Sequence, residues 1–488
     1  MGDENTTLGE AEARHLLRRT GFGALPRDLA RILDAGETRG QAADRLLAAK
    51  PSSVRPSGRD FTSAHAKWLK FLVKSKTPLH SKLALFWHDH FATSFSKVQD
   101  LLLMGNQIQL FHKQGAGNLK TLVKLVNLDP AMMEFLDTVR NDKDQPNENY
   151  ARELMELFTL GVYDFAGNPN YLQDDIVQIA RAFSGWRYDR EAYLDQDQHD
   201  FENDFPERGP KVIFQGTGGF GPGGRDFTVN GEGEAEIDTV VDILFDHVDT
   251  DGKKTVARRT ARRLLEFFAH PEPSTAVVDA VVTASGFDTD WEIAPLLRAI
   301  FVHDAFYEST APAPFGAASK KSVKWPVDYV VSSLRLLGMR LKGREQTLEG
   351  GRYIGILPHL ENMGQILLDP PSVFGWDWET AWVSSATLLA RYAFARDLIQ
   401  ARGRGGTAFR PERLIDLSLT DPGDVVDAVT DLLGVTDQLT GAERTVLVDY
   451  ASDDGAVGSL DLNDYDVRNT KLHGLVALVL QSPAYQLH

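Results

Sequence analysis

The sequence predicts an all-α protein, a large multi-helix single fold with a Gly-rich loop insertion near 188–234. Apolar residues recur at helical spacing behind helix-start signals along most of the chain, whereas the alternation typical of strands is limited to pieces such as 211–214. Hydrophobic residues make up 42% of the 488 residues, which is enough for a sizeable core. We expect one continuous fold with an N-terminal helical region (1–187), the loop region (188–234) and a C-terminal helical region (235–488).

The first helices have recognisable ends. Thr7-x-x-Glu10 and Thr38-x-x-Gln41 are capping-box patterns, which satisfy the free N–H groups at a helix start. Pro26 fits the first turn of the helix between them, and Gly36 fits its end. Further amphipathic stretches predict helices at 63–75, 80–92, 119–127, 130–138, 148–160, 173–183, 235–247, 254–269, 275–285, 291–301, 319–338, 379–400, 422–433, 440–451 and 466–481.

Glycines mark the main interruption, and eight of them fall between 216 and 233. This stretch lacks the Lys-Ser/Thr pair of a phosphate-binding loop, so a plain loop is favoured. A second loose stretch lies at 402–406. Asp249-Thr250-Asp251-Gly252 resembles part of a calcium loop, but the twelfth loop position is then Arg258, where a carboxylate is needed. The calcium interpretation therefore fails.

Composition excludes several classes of partner. The chain carries 52 Lys+Arg against 69 Asp+Glu, a formal net charge of −17, which argues against nucleic acid as a main partner. It has no cysteine, which excludes disulfides, thiolate metal sites and cysteine nucleophiles. No apolar run approaches the roughly 20 residues that a membrane-spanning helix needs, so we expect no membrane insertion.

His88-Asp89-His90 is a candidate metal or catalytic motif. On a helix the two histidines diverge by about 200°, so that one ion cannot easily use both unless the helix ends here. A packed, hydrogen-bonded histidine pair is the ordinary alternative. No cofactor is predicted, although a divalent metal remains possible.

The segment 147–158 is the clearest helix in the chain. Its polar residues share about 140° of one face. They are Glu148, Asn149, Arg152, Glu153 and Glu156. This pattern is typical of a solvated amphipathic helix. If the face instead lines a cleft, neighbouring carboxylates and an arginine would have separated pKa values, as acid–base catalysis requires.

Two further groups of residues could contact a substrate. His199 and Asp200 lie in the polar loop. Trp376, Trp378 and Trp382 follow a Pro-Pro turn and could form an apolar platform for sugar rings, although core packing is the usual role of tryptophan.

Several segments together resemble the bacterial domain-of-unknown-function family numbered 1800, with matching order and spacing over nearly the full chain. The matching segments are His15-Leu16-Leu17-Arg18-Arg19-Thr20-Gly21-Phe22-Gly23, Trp87-His88-Asp89-His90-Phe91, Asn147 through Leu154 to Val162, Ala180 to Trp186, His199-Asp200 with Lys211, and Gly364-Gln365 through Pro370-Pro371 to Gly375-Trp376.

The resemblance implies an exported protein, periplasmic or extracellular, but no secure reaction. Relatives often carry His at the position of Phe158 and Asn at that of Asp89. A metal site that relied on a histidine at the first position would therefore be incomplete in this chain.

Our first functional hypothesis is an exported hydrolase that cleaves a polysaccharide or glycoside by carboxylate acid–base catalysis. Glycosidic cleavage needs two carboxyl groups flanking the bond, so Glu148 or Glu153 would pair with Asp200 or Asp175. His88 and His90 complete the predicted catalytic set. The predicted substrate-binding residues are Asn149, Arg152, His199, Trp186, Trp376 and Trp382.

Two alternatives remain open. A metal-dependent oxidoreductase or hydrolase would combine His88 or His90 with glutamates of the 148–156 face, although the Glu-x-x-His pair common in such centres is missing. A non-catalytic binding or assembly protein would have neither perturbed carboxyl groups nor a cleft behind that face.

Overall fold

The computed structural model describes residues 3–196, 201–203, 209–227, 234–309, 320–339, 341–342, 347–348, 355–400, 402–403, 406–407 and 409–488. The chain is mostly helical, which confirms the predicted all-α class. Among the described residues, no helix is both long and apolar enough to cross a membrane.

The first half of the chain contributes the helices α1 to α12. They are α1 (Glu10–Thr20), α2 (Pro26–Ala35), α3 (Arg39–Leu47), α4 (Phe61–Lys74), α5 (Pro78–His90), α6 (Phe95–Val98), α7 (Leu101–Gln114), α8 (Leu119–Asn127), α9 (Pro130–Phe135), α10 (Glu148–Glu153), α11 (Gln173–Ala182) and α12 (Arg190–Gln196). A π-helical segment, Leu154–Thr159, continues α10.

The second half continues this helical packing. Its helices are α13 (Glu234–Asp246), α14 (Thr255–Phe268), α15 (Thr275–Ser285), α16 (Phe287–Asp290), α17 (Ile293–Val302), α18 (Pro326–Leu336), α19 (Ile356–Asn362), α20 (Ser385–Gln400), α21 (Pro422–Leu432), α22 (Gly441–Ser452), α23 (Tyr465–Val467), α24 (His473–Gln481) and α25 (Pro483–Gln486). A second π-helical segment, Arg468–Leu472, joins α23 to α24. Short 3-10 turns lie at Thr138–Arg140, Asp304–Tyr307, Glu379–Trp382, Pro411–Arg413 and Thr436–Gln438.

Within the described parts of the chain, the strands are short and form four antiparallel pairs. They are β1 (Trp186–Tyr188) with β2 (Phe201–Asn203), β3 (Val212–Ile213) with β4 (Arg225–Asp226), β5 (Leu341–Lys342) with β6 (Thr347–Leu348), and β7 (Arg402–Gly403) with β8 (Gly406–Thr407). The region 188–234, predicted as loop, therefore contains α12 and strands of two antiparallel pairs among its described residues.

The predicted helix starts are mostly confirmed. Thr38 forms the capping box with Gln41, and Pro26 occupies the first turn of α2, which ends at Gly36 in the left-handed conformation. The capping box at Thr7 is wrong. Thr7 instead pairs with Thr38 in an isolated β-bridge, so that α1 begins three residues later behind Gly9.

One hydrophobic core runs through the molecule, from Leu8 to Leu487. The two ends of the chain meet in it, because α1 contacts the C-terminal helices. Arg14 and Arg18 form ion pairs with Asp431 and Asp437, at 3.3 and 2.8 Å. A buried ion pair joins α5 to α18, and a hydrogen bond joins α1 to α14, so that these four helices surround a common interior.

Candidate functional site

A small polar cavity of about 20 Å³, room for about one water molecule, lies between these helices. Its walls combine aromatic rings with charged groups. The lining residues are Phe22, Lys82, Leu85, Glu266, Phe267, Ser322, Val323, Trp325, Val327, Asp328, Trp378, Glu379 and His488.

Two glutamates bring carboxyl groups to this cavity. Glu266 comes from the last turn of α14, and Glu379 begins the short 3-10 turn after Trp378. Burial raises the pKa of both carboxyl groups, and the negative charge of Glu266 raises that of Glu379 further. Glu379 Oε2 also accepts a hydrogen bond from the backbone N–H of Val323 at 3.1 Å, which holds the carboxyl group in place.

Buried cations surround the pair. Lys82 Nζ lies 2.8 Å from the carboxylate of Asp328, and both side chains are less than one-tenth exposed. The guanidinium of Arg19 donates to the carbonyl oxygens of residues 267 and 268 at 2.8 and 2.7 Å, and burial lowers its pKa to about 10. Arg19 also opposes the rise in the pKa of Glu379. The cavity thus mixes buried charges of both signs, an arrangement found at functional sites and in structural ion-pair networks.

Asp89 supports the rim of the cavity from inside the protein. Its carboxylate accepts hydrogen bonds from the backbone N–H of Trp376 at 2.7 Å and from the indole Nε1–H of Trp378 at 2.8 Å. Arg263 stacks on the ring of Trp378 at 4.0 Å and approaches Asp89 to 3.6 Å. At Gly375, where φ is +80°, a Cβ atom would lie 2.4 Å from Asp89 Oδ1, so only glycine permits this approach. Asp89 therefore positions the segment that carries Trp378 and Glu379.

The predicted tryptophan platform needs correction. Trp376 and Trp382 are 3% and 4% exposed and pack, with Trp378, around the ring of Trp325 at centroid distances of 5.6–6.1 Å. A sugar ring can stack only on an exposed aromatic face, and of these three predicted tryptophans Trp378 alone is partly exposed and lines the cavity. Trp186 is likewise 3% exposed. Burial thus leaves Trp186, Trp376 and Trp382 as core residues.

The two histidines of the motif 88–90 point into different surroundings. The helix α5 does end at His90, but His88 packs edge-on between Trp68 and Trp376, and His90 stacks on Phe86. Burial lowers the pKa of each imidazole to about 3, so both rings are neutral at physiological pH. The predicted catalytic role of these histidines does not fit their burial, because neither ring reaches the cavity.

The polar face of α10 lies on the surface beside the cavity helices. Glu148 and Arg152 form the expected i,i+4 ion pair at 3.1 Å, and both side chains are more than one-third exposed. Asn149 is exposed. Glu153 differs from them, because its Oε2 atom is buried without a hydrogen-bond partner. Its pKa is raised, mainly by burial and also by the negative charge of Glu156. The face is therefore partly solvated, as the ordinary interpretation states, and Glu153 is its perturbed member.

Asp175, the candidate partner carboxylate within the described residues, is held by other groups. Asp175 is buried and accepts hydrogen bonds from the backbone N–H groups of Leu172 and Phe214 at 2.7 and 2.6 Å, which makes it an anchor for two loops. Asp200 and His199 lie outside the described residues. Within the described parts of the chain, no group of three or more His, Asp or Glu side chains is placed to hold a metal ion.

Five residues in and around the cavity are not among the site residues predicted from the sequence: Glu266, Glu379, Arg19, Lys82 and Arg263. Glu266 and Arg263 look like ordinary polar positions of an amphipathic helix. The sequence did contain a signal for Arg19, which belongs to the first segment that resembles the family. It also contained one for Glu379, which lies three residues after the matching Gly375-Trp376 segment.

The fold and site define a helical protein whose interior holds a small cavity lined by two glutamates. A family model described as Protein of unknown function (DUF1800) matches residues 15–487, so the chain belongs to that family. Searches of curated proteins and of solved structures return no match to the chain.

Proposed function

We propose that this protein is a hydrolase that cleaves a polysaccharide or glycoside, with Glu266 and Glu379 as its carboxyl pair. The observation that carries the proposal is that both glutamates line one cavity and have raised pKa values. Of two carboxyl groups with raised pKa values in one cavity, one can be protonated while the other is ionised at mildly acidic pH. One group then acts as acid while the other is available as base, as glycosidic cleavage requires.

The chemistry uses water as the only co-reactant. The protonated carboxyl group donates its proton to the departing glycosidic oxygen as the bond from the anomeric carbon breaks. The ionised carboxyl group removes a proton from water, whose oxygen forms the new bond to the anomeric carbon. Trp378, which is partly exposed, supplies an apolar wall of the kind that packs against sugar rings. The site in this proposal replaces the pairing of Glu148 or Glu153 with Asp200 or Asp175.

The raised pKa values of the carboxyl pair also support the enzyme over the non-catalytic alternative. An exported location, periplasmic or extracellular, remains part of the proposal, because a glycan substrate of this kind is found outside the cell. The sequence resemblance is its support.

The test is release of new reducing ends from a panel of neutral, acidic and amino-sugar polysaccharides. We expect Glu266→Gln and Glu379→Gln each to lower kcat by about 100-fold or more at unchanged melting temperature, because acid–base catalysis contributes about that much. Glu361→Gln, at an exposed position, is the matched control. The acid limb of the wild-type pH–activity profile should have its midpoint above pH 4.5, the ordinary glutamate pKa, because the pKa values of Glu266 and Glu379 are raised.

Two results would contradict the proposal. If Glu153→Gln abolishes cleavage while the two cavity variants remain active, the polar face of α10 is the catalytic surface. If no polysaccharide of the panel is cleaved by the wild type, the glycan hydrolase is wrong.

A further inference from the structure

A groove of about 1060 Å³ opens on the surface and shares no lining residue with the polar cavity. Its walls come from α2, the segment after α4, the end of α18 and the C-terminal region. The charged lining residues are Arg27, Arg31, Lys74, Lys76, Arg335, Arg413 and Asp28. We call this surface the basic groove, because six of these seven side chains are cationic in a chain whose net charge is −17.

The cations of the basic groove are mostly unneutralised. Arg31, Lys74, Lys76 and Arg413 are exposed, and none has an ion-pair partner among the described residues. Arg27 lies 3.5 Å from Asp28. A concentration of uncompensated positive charge on an acidic protein favours an anionic partner.

The floor of the groove indicates what kind of anion fits. Its uncharged lining residues are mainly aliphatic, and no aromatic side chain lines it within the described part of the chain. These residues are Leu25, Pro26, Val73, Ser75, Pro78, Leu334, Leu336, Gly338, Met339, Leu414 and Leu432. Single-stranded nucleic acids and sugars are usually held by aromatic stacking. An acidic polypeptide with aliphatic and aromatic side chains of its own fits this surface better.

The same chain carries such a polypeptide. Between 449 and 466 there are six aspartates and no lysine or arginine, and we call this stretch the acidic segment. All six aspartates are exposed. Tyr465 within the segment is 59% exposed and Val446 beside it 63%, so that apolar groups accompany the negative charge.

We infer that the basic groove binds the acidic segment of a second copy of this chain. The overall charge of −17 does not prevent this contact, because salt at physiological strength screens charges separated by more than about 8 Å. The attraction therefore acts locally, between the exposed aspartates of one copy and the groove cations of the other. Because the groove and the segment are different surfaces, a single contact joins two copies head-to-tail. A symmetric dimer forms only if each copy binds the segment of the other at the same time about a two-fold axis. The inference does not depend on the proposed hydrolase activity.

Sedimentation velocity over a range of protein concentrations tests the association. We expect self-association at about 50 mM salt that is lost at about 500 mM, because the contact is electrostatic. Arg31→Glu with Lys76→Glu in the groove should weaken it by about tenfold or more. Asp449→Lys with Asp466→Lys in the acidic segment should do the same. None of these four side chains has a described hydrogen-bond or ion-pair partner, so the fold should tolerate each change.

Mixing the two double variants provides the decisive comparison. Each weakens its own self-association, but together a reversed groove meets a reversed segment, so the mixture should associate again. Lys50→Glu with Lys113→Glu, at exposed positions outside the groove, makes the same change in net charge and should have no effect.

The absence of cysteine allows a second readout. A Lys76→Cys protein mixed with an Asp464→Cys protein should form a mixed disulfide dimer faster than either forms a dimer alone. A wild type that stays monomeric at all concentrations, an association that neither double variant weakens, or a mixture that fails to recover it would each overturn the inference.

Discussion

At the scale of the residue, the structure shows individual charged side chains that are buried in the interior. Asp89 is 1% exposed, and burial raises its pKa to about 7 even though two N–H groups and Arg263 favour the carboxylate. Arg258 is another example, because its guanidinium contacts Asp249, Asp251 and Asp279 at 2.7–2.8 Å. The rejected calcium loop is thus built around an internal cation, which explains why an arginine stands where a calcium loop has a carboxylate.

Asp89→Asn should change the pH dependence of stability. In the folded state the pKa of Asp89 is about 7, above the ordinary 3.8, so the folded state binds the proton more tightly than the unfolded state. Protonation of Asp89 therefore stabilises the fold, and this contribution is complete only at a pH below both pKa values. As pH rises from about 4 to about 7, the wild type should lose stability relative to the variant, by a total of the order of 4 kcal/mol. Urea unfolding of both proteins at pH 4 and pH 8 measures this, and the comparison cancels the contribution of other groups. Equal pH dependence in both proteins would contradict the assignment.

Arg258→Gln should lower the free energy of unfolding by about 3 kcal/mol, because it leaves the buried carboxylate of Asp249 without its cation. Lys253→Gln provides the control. Lys253 also pairs with Asp279, but its side chain is 52% exposed, so its removal should change stability by less than about 1 kcal/mol. Urea denaturation of the two variants measures the difference. Similar losses from both would show that burial does not set the strength of this cluster.

At the scale of the element, the π-helical segment Leu154–Thr159 distinguishes this helix from an ordinary amphipathic one. The backbone N–H groups of Leu160 and Gly161 both donate to the carbonyl oxygen of Met155 at 2.9 Å. Arg259 of α14 donates to the carbonyl oxygen of Glu156 at 2.8 Å, and burial lowers its pKa to about 10. The irregular turn is therefore stabilised from outside, by the helix that also carries Glu266. Such π-helical turns are frequent at functional sites.

Gly161→Ala should destabilise the protein more than Gly167→Ala. Both glycines have positive φ, +81° and +89°, so both variants carry the backbone strain of a non-glycine residue. A Cβ at Gly161 would also lie 2.5 Å from Arg259 Nη1, whereas nothing lies within 4 Å of one at Gly167. We expect losses of about 3 and about 1 kcal/mol, measured by thermal unfolding. Equal losses would mean that the contact with Arg259 adds nothing.

At the scale of the whole molecule, the ends of the chain are parts of one structure. Ser322 exchanges backbone hydrogen bonds with His488, both at 3.0 Å. Arg18 binds Asp437 at 2.8 Å, and both side chains are largely buried. The lining of the polar cavity accordingly spans the chain from Phe22 to His488.

We therefore expect one cooperative unfolding transition for residues 1–488. A fragment containing only 1–187 should lack fixed tertiary structure, because α1 would lose its partners near Asp431, Asp437 and His488. Near-ultraviolet circular dichroism and amide exchange measure this. A fragment that unfolds cooperatively and keeps slowly exchanging amides would show that the N-terminal helical region is an independent domain.

Local patterns predicted the helical elements well. Thr38, Pro26 and Gly36 mark helix ends through interactions within a few residues, and the structure confirms them. Thr7 carried the same pattern as Thr38, yet its segment pairs with Thr38 in a β-bridge, a contact between residues 31 positions apart. The candidate site was harder to predict, because the polar face at Glu148 and Glu153 has a helical period that is equally typical of a solvated surface.

The all-α class and the helix ends follow from the order of the residues, because helical periodicity and capping depend on neighbours one to four positions apart. The carboxyl pair depends on the packing of α14 against the segment after Trp378, more than 100 residues away in the chain. Burial of His88 and of Trp376 depends on the same packing, and so do the raised pKa values. A pKa is set by the solvation and charges around a group, and for Glu266 and Glu379 these come from side chains that are distant in sequence.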